Sequence, residues 1–186
     1  MKIKNVILAS LLAVGSTAFA QSVTIGYALR DLATGQQEHQ NSFSVKSPSF
    51  GSLTGDVGVS ASQNDKTFVL TNRYEIGVTH SQPLPAGLSG DFRVAQGWKA
   101  KSGIDTTTYY VLEPSLTSKI AGTPASVKVG YRVRNAWDSN VADNSKTTRL
   151  AVAYDLTKLD KVSLGRDWQR GDGALQQTTL QYTRAF

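Results

Sequence analysis

Thr178-Thr-Leu-Gln-Tyr-Thr-Arg-Ala-Phe186 closes the chain, and its reading decides the fold. Side chains of an extended segment alternate between two faces, so Leu180, Tyr182, Arg184 and Phe186 share one face and Gln181, Thr183 and Ala185 the other. A helix would mix these two sets. The stretch is therefore a strand with one apolar and one polar face.

The same alternation recurs upstream. In 127–134 the odd positions are Val127, Val129, Tyr131 and Val133, and the even ones are Lys128, Gly130, Arg132 and Arg134. Leu150, Val152, Tyr154 and Leu156 alternate with Arg149, Ala151, Ala153 and Asp155. Val23, Ile25, Tyr27 and Leu29 alternate with Thr24, Gly26, Ala28 and Arg30. In the fourth segment Phe68, Leu70, Tyr74, Ile76 and Val78 oppose Val69, Thr71, Arg73, Glu75, Gly77 and Thr79. Period-two patterning repeated between Gly- and Pro-rich breaks predicts an all-β chain.

Reading each break as a turn yields ten strands, near 22–31, 36–47, 52–63, 66–82, 87–101, 106–120, 125–136, 145–157, 161–171 and 173–186. The polar run from Glu38 to Ser49 makes the second and third the faintest. The expected fold is a closed antiparallel transmembrane β-barrel of ten strands, with eight and twelve as the neighbouring even counts. An even count puts both termini at one end, with the breaks at Ser47–Ser49, Pro83–Gly87, Ala121–Pro124 and Thr157–Asp160. The loops at Leu32–Gln36, Gln63–Lys66, Ser102–Asp105, Asn135–Lys146 and Gly171–Ala174 then share the opposite end. Three residues resist the pattern. Pro114 cannot donate a ladder hydrogen bond, which predicts a bulge or register shift. Arg166 falls on an apolar face, where a midplane charge costs about 2–4 kcal/mol, and a bulge near Gly165 would turn it inward. Asn72 predicts an irregular middle for the fourth strand.

Ending on Phe186 after alternating apolar residues, the final segment resembles the terminal strand by which bacterial outer-membrane β-barrels are recognised by their assembly machinery. The N-terminus agrees. Lys2 and Lys4 precede an uncharged, mostly apolar run, and Ala18-Phe19-Ala20 precedes Gln21, the layout of a cleaved secretory signal. Residues 1–20 are thus read as the leader and 21–186 as the barrel, exported to a Gram-negative outer membrane. The sequence has no cysteine, which excludes lipid attachment and disulfide staples. No later segment is apolar enough for a transmembrane helix. The formal charge of +6 falls to +4 when Lys2 and Lys4 leave with the leader, too small an excess to imply nucleic acid.

Alternation alone does not say which face is outside, because a soluble barrel would turn its apolar face inward. The terminal Phe186 favours apolar-out. So does the polar face, where Gly26, Gly58, Gly77, Gly97, Gly130 and Gly165 stand beside charged residues, as in a crowded lumen. Aromatics also fall in two bands, Trp98, Trp168, Phe68 and Tyr110 toward the loops and Phe92, Tyr154 and Phe186 toward the turns, like interfacial girdles.

With that face outside, the lumen receives Arg30, Lys46, Arg73, Arg93, Lys99, Lys128, Arg132, Arg134 and Arg149 against Asp56, Glu75, Asp91, Glu113, Asp155 and Asp167. Excess cation in a low-dielectric tube attracts anions, and guanidinium groups grip carboxylates in pairs of hydrogen bonds. The signal peptide, short turns, terminal Phe186 and strands such as Gly130-Tyr131-Arg132-Val133-Arg134 resemble the small monomeric porins specific for oligogalacturonates. That resemblance implies a passive channel for small anionic solutes such as acidic oligosaccharides, lined by Arg73, Arg93, Lys99, Lys128, Arg132, Arg134 and Arg149. Those porins resemble twelve-stranded barrels, two strands wider than this one. The alternative is a structural or surface-interaction barrel whose inward charges pair and fill the lumen.

An enzyme is not expected. The histidines are His39 and His80. Thr79-His80-Ser81-Gln82 is superficially similar to the His-x-Ser pair of an outer-membrane lipid A deacylase, but adjacent His80 and Ser81 point to opposite faces. No cofactor or metal is called for, and the expected partners are membrane lipid, the assembly machinery acting on the Phe186 strand, and small anions.

Overall fold

A computed structural model describes residues 21–138, 141, 143–172 and 175–186, with 104 and 105 in backbone only. The expected leader at 1–20 lies outside these residues. Ten strands follow in order: β1 (Ser22–Leu32), β2 (Gln37–Lys46), β3 (Leu53–Asn64), β4 (Leu70–Pro83), β5 (Leu88–Lys101), β6 (Ile104–Lys119), β7 (Ala125–Ala136), β8 (Ser145–Asp155), β9 (Asp160–Gly171) and β10 (Leu175–Ala185). Each pairs antiparallel with its sequence neighbours, and β1 pairs with β10 from Ser22↔Ala185 to Leu32↔Leu175, so the sheet closes into a barrel. Closure leaves no unpaired edge, which matters when strands are this long and apolar on one side. The final residue takes part, its N–H donating to the Gln21 carbonyl at 3.0 Å.

Short turns make the meander. Gly103 and Gly122 supply the positive φ that their tight reversals need, at 79° and 72°. The faint second and third strands form as regular strands, because their neighbours present backbone groups that can be satisfied only by pairing.

Side-chain burial settles the direction of the two faces. Ile25, Tyr27, Leu29, Val57, Ile76, Val94, Val129, Val152, Leu164 and Leu180 are exposed on the outside, whereas Arg30, Asp56, Thr71 and Arg134 are buried. The barrel is apolar outside and polar within, with Ala95, Tyr109 and Val111 as its one buried apolar cluster among the described residues.

Four local expectations change. Pro114 causes no bulge: Phe92↔Pro114 pairs on the β5 side, and on the β7 side the ladder lapses at Glu113 and Pro114 and resumes at Ser115↔Gly130 without a shift of register. Losing ladder bonds in place disturbs less than inserting a residue, which would turn every later side chain to the wrong face. The register shift lies between Lys99 and Lys101, beside the β5–β6 hairpin, where little sheet follows it. No bulge occurs at Gly165 either, so Arg166 stays outward, opposite Leu150 and Thr178. Asn72 sits on an unbroken β4, paired with Ala61 and Ala100. Phe68 lies before β4, in the β3–β4 turn, with φ 55° and its ring exposed.

Candidate functional site

Period two delivers inward side chains from all ten strands into one lumen, and the two halves of that wall differ. The arc formed by β10, β1, β2 and β3 presents mostly small or neutral groups, including Thr179, Gln181, Gly26, Ala28, Ser42 and Gly58. A Cβ on Gly26 would stand 2.6 Å from Ser42 Oγ and 3.1 Å from Gln181 Cγ, so this arc is closely fitted as well as small. The opposite arc, β4 to β9, carries most of the charge. A cavity of about 650 Å³ runs between them, lined from Gln21, Lys46 and Thr54 at the turn end to Arg30 and Arg134 toward the loops.

The charged arc is a ladder of alternating sign. Arg93 holds Asp56 through Nε at 2.9 Å and Nη2 at 2.6 Å, and Glu75 Oε2 through Nη1 at 3.0 Å. Glu75 Oε1 accepts from Arg132 Nη2 and from the Tyr109 hydroxyl at 3.1 Å. Arg132 Nη1 lies 3.5 Å from Glu113 Oε2, and Glu113 Oε1 accepts from Arg149 Nη1 at 2.5 Å. Arg149 Nε ends the run on Asp167 Oδ2 at 3.1 Å. The ladder reaches from β3 to β9, each guanidinium bridging carboxylates on other strands. Gly77 makes room for it, since a Cβ there would meet Arg93 Nε and Nη2 at 2.9 Å.

Toward the loops the lumen tightens into a second layer. Tyr109 is 0% exposed and lies against Gly97, where a Cβ would come within 2.4 Å of the ring. The Arg134 guanidinium sits 5.5 Å from the Tyr109 ring centroid, a cation–π contact. Arg134 Nη2 and Lys99 Nζ converge on Asp143 Oδ1 at 2.9 and 2.8 Å. Arg30 Nη1 bonds Glu38 Oε2 at 2.6 Å and Ser62 Oγ at 3.3 Å. Arg73 feels the charges of Arg30, Asp143 and Glu38 but makes no ion pair among the described residues. The layer thus sets Arg30, Arg73, Lys99 and Arg134 against Glu38 and Asp143. Nε of Arg30, Arg73 and Arg134 is buried without a hydrogen-bond partner, as is Asp143 Oδ2. In a buried polar space, this surplus of cation favours an anion.

Of the seven residues expected to line the lumen, Arg73, Arg93, Lys128, Arg132, Arg134 and Arg149 line its cavity and Lys99 stands at the loop-side margin on Asp143, in three groups. Arg93, Arg132 and Arg149 belong to the ladder, where carboxylates occupy them. Arg73, Lys99 and Arg134 belong to the loop-side layer. Lys128 stands apart near the turns, its Nζ 3.3 Å from Asp91 Oδ2. Sequence reasoning missed Glu38, Asp143 and Tyr109. Parity on β2, where Glu38 shares a face with Lys46, could have found the first, and Gly97 opposite Tyr109 hinted at the third. Asp143 enters from a loop, where no periodicity applies.

The histidines assemble no catalytic set. His80 faces outward and its Nδ1 lies 2.9 Å from Ser52 Oγ, while Ser81 faces the lumen and donates to Asp91. No carboxylate orients His80 among the described residues. His39 lies between the Tyr27 hydroxyl and Asp65 at the outer rim, without a nucleophile. No group of metal-ligating residues occurs among the described residues.

No protein-family model matches the chain, and no curated protein matches it in sequence. Solved structures do match in fold. The KdgM porin in complex with disordered oligogalacturonate superposes with a TM-score of 0.53 at 10% identity, over 89% of this chain and 99% of that one. An outer-membrane channel from Pseudomonas putida F1 gives 0.53 at 9% identity, over 89% and 94%. The β domain of the Bordetella autotransporter BrkA gives 0.51 at 10% identity, over 91% and 100%. At such identities the likeness is one of fold: a closed outer-membrane-type barrel.

Proposed function

We propose that this chain is an outer-membrane β-barrel forming a narrow passive channel for small anionic solutes, acidic oligosaccharides among them. The observation that carries the reading is the loop-side layer, where Arg30, Arg73, Lys99 and Arg134 meet two carboxylates and three arginine Nε groups lack a partner. An anion entering from the loop end would complete those hydrogen bonds. It would then meet the ladder, whose guanidinium groups can exchange one carboxylate for another at little net cost because both partners are anionic oxygens. The small neutral arc opposite leaves a path along which hydroxyl and amide groups can replace water. The fold shared with a porin solved with oligogalacturonate supports this substrate class. On the same reading the apolar outer wall meets lipid, the loops face outward from the cell, and the Phe186 strand is what the assembly machinery recognises.

Folded protein in planar bilayers should give discrete conductance steps whose reversal potential in a salt gradient is anion-selective. Replacing Arg30 and Arg73 together by Gln should move that potential toward neutrality. Folded, inserted protein that gives no steps at any voltage would instead favour the structural barrel with a charge-filled lumen, a reading that the ion-pair ladder also supports.

A further inference from the structure

The outer wall carries three cations, Lys146, Arg166 and Arg170, that no carboxylate among the described residues neutralises. Arg166 occupies an outward position of β9 between Leu164 and Trp168. Its Nη1 donates to Thr178 Oγ1 and its Nη2 to Gln176 Oε1, each at 2.5 Å, so neutral groups on β10 hold the guanidinium and draw it toward the loop end. Beyond Trp168, Lys146 and Arg170 stand directly opposite each other across β8 and β9. Like charges so placed destabilise a sheet. The nearby carboxylates are engaged elsewhere: Asp167 turns inward to Arg149, Asp155 pairs with Lys161 at the turn end, and Asp172 accepts the Asn144 N–H. None of the three cations makes an ion pair among the described residues.

We propose that Lys146, Arg166 and Arg170 bind the phosphate groups of an outer-leaflet glycolipid, with Trp168 against its sugar or upper acyl chain. The inference rests on the membrane reading above, which turns this face to lipid and the loop end outward. An outward arginine within the apolar band is costly unless an anion meets it, and a phosphate offers the paired oxygens that a guanidinium fits. An indole at the same height is the usual anchor at a membrane interface. A lipid fits better than a protein partner, because the strip spans two strands and is bordered by ordinary lipid-facing residues, Val133, Leu150 and Leu164. A stable protein interface needs an area on the order of 800 Å² per partner.

The test is native mass spectrometry of the folded barrel released from detergent after incubation with bisphosphorylated lipid A or with the same acylated disaccharide lacking phosphate. Wild type should retain the phosphorylated lipid selectively. The Lys146→Gln, Arg166→Gln, Arg170→Gln variant should lose retention by on the order of 100-fold, and Arg166→Gln alone by roughly fivefold. Equal retention of both lipids by wild type, or unchanged retention by Arg166→Gln and the triple variant, overturns the proposal. So does a dimer of the chain that forms in place of the lipid adduct and is lost in the variants. Should the triple variant not fold, the single variant and the phosphate-free lipid decide. Bilayer conductance of the same samples separates the two readings: conducting protein without phosphate-dependent retention sinks this inference alone, whereas protein that never inserts into bilayers removes both.

Discussion

At the scale of the residue, the lumen is built on a few glycines placed under large side chains. Gly97 is the sharpest case, because Tyr109 lies over it with no exposed surface and no room to swing aside. Gly97→Ala should destabilise the barrel by about 1–3 kcal/mol, read as a lower urea midpoint. Gly26→Ala should cost less, because its nearest neighbour is a Ser42 hydroxyl that can rotate away. Equal effects at the two sites would contradict this account of the packing. Glu75 is the most connected acid of the ladder, bonded to Arg93, Arg132 and Tyr109. Glu75→Gln removes the carboxylate that Arg93 and Arg132 share, leaving Arg93 to Asp56 and Arg132 to Glu113, and should cost about 3–5 kcal/mol. Because a bound anion can stand in for the carboxylate, chloride should recover part of that loss in the variant and not in wild type. Absence of any chloride dependence would mean that the ladder does not present its cations to solutes.

At the scale of the element, β10 closes the barrel by pairing with both β1 and β9, and Phe186 just past its end reaches Gln21. Phe186 is 61% exposed and contributes little to internal packing. Deleting it should therefore lower the amount of folded barrel recovered from membranes while leaving the conductance of each inserted molecule unchanged. Normal recovery would remove the assembly role from this strand. The strands themselves were legible because each faces two environments, and period two records both. Pro114 and Arg166 were misjudged for a shared reason. A bulge that corrects one residue turns all later ones to the wrong face, so the sheet keeps its register and accommodates the exception with lost ladder bonds or polar neighbours.

At the scale of the whole molecule, the lumen is asymmetric along its axis as well as around it. Tyr109, Ser62, Arg30, Arg134 and Asp143, all buried, lie toward the loops, and the cavity reaches the turns past Lys46 and Lys128. Asp143 ties the loop-side layer together by holding both Lys99 and Arg134. Asp143→Asn should release those cations, raising single-channel conductance and sharpening anion selectivity, with a stability loss of about 3–5 kcal/mol because neither Lys99 nor Arg134 has another ion-pair partner among the described residues. A variant with unchanged conductance would move the narrowest point of the path away from this layer.

The sequence by itself determined the all-β architecture with ten strands as its central count, nearly every boundary and the facing of most inward charges, because these depend on local periodicity and on turn chemistry. Even the terminal Thr178–Phe186 stretch carried its face assignment in its own residue order. Only the tertiary structure decided which inward charges meet. Ladder partners such as Glu75 and Arg132 come from strands that are not sheet neighbours, and barrel curvature rather than spacing along the chain sets their approach. Closure likewise brought a loop carboxylate, Asp143, into the lumen, and left Arg166, Lys146 and Arg170 together on the outer wall. These are relations between distant segments, and no pattern within a single strand records them.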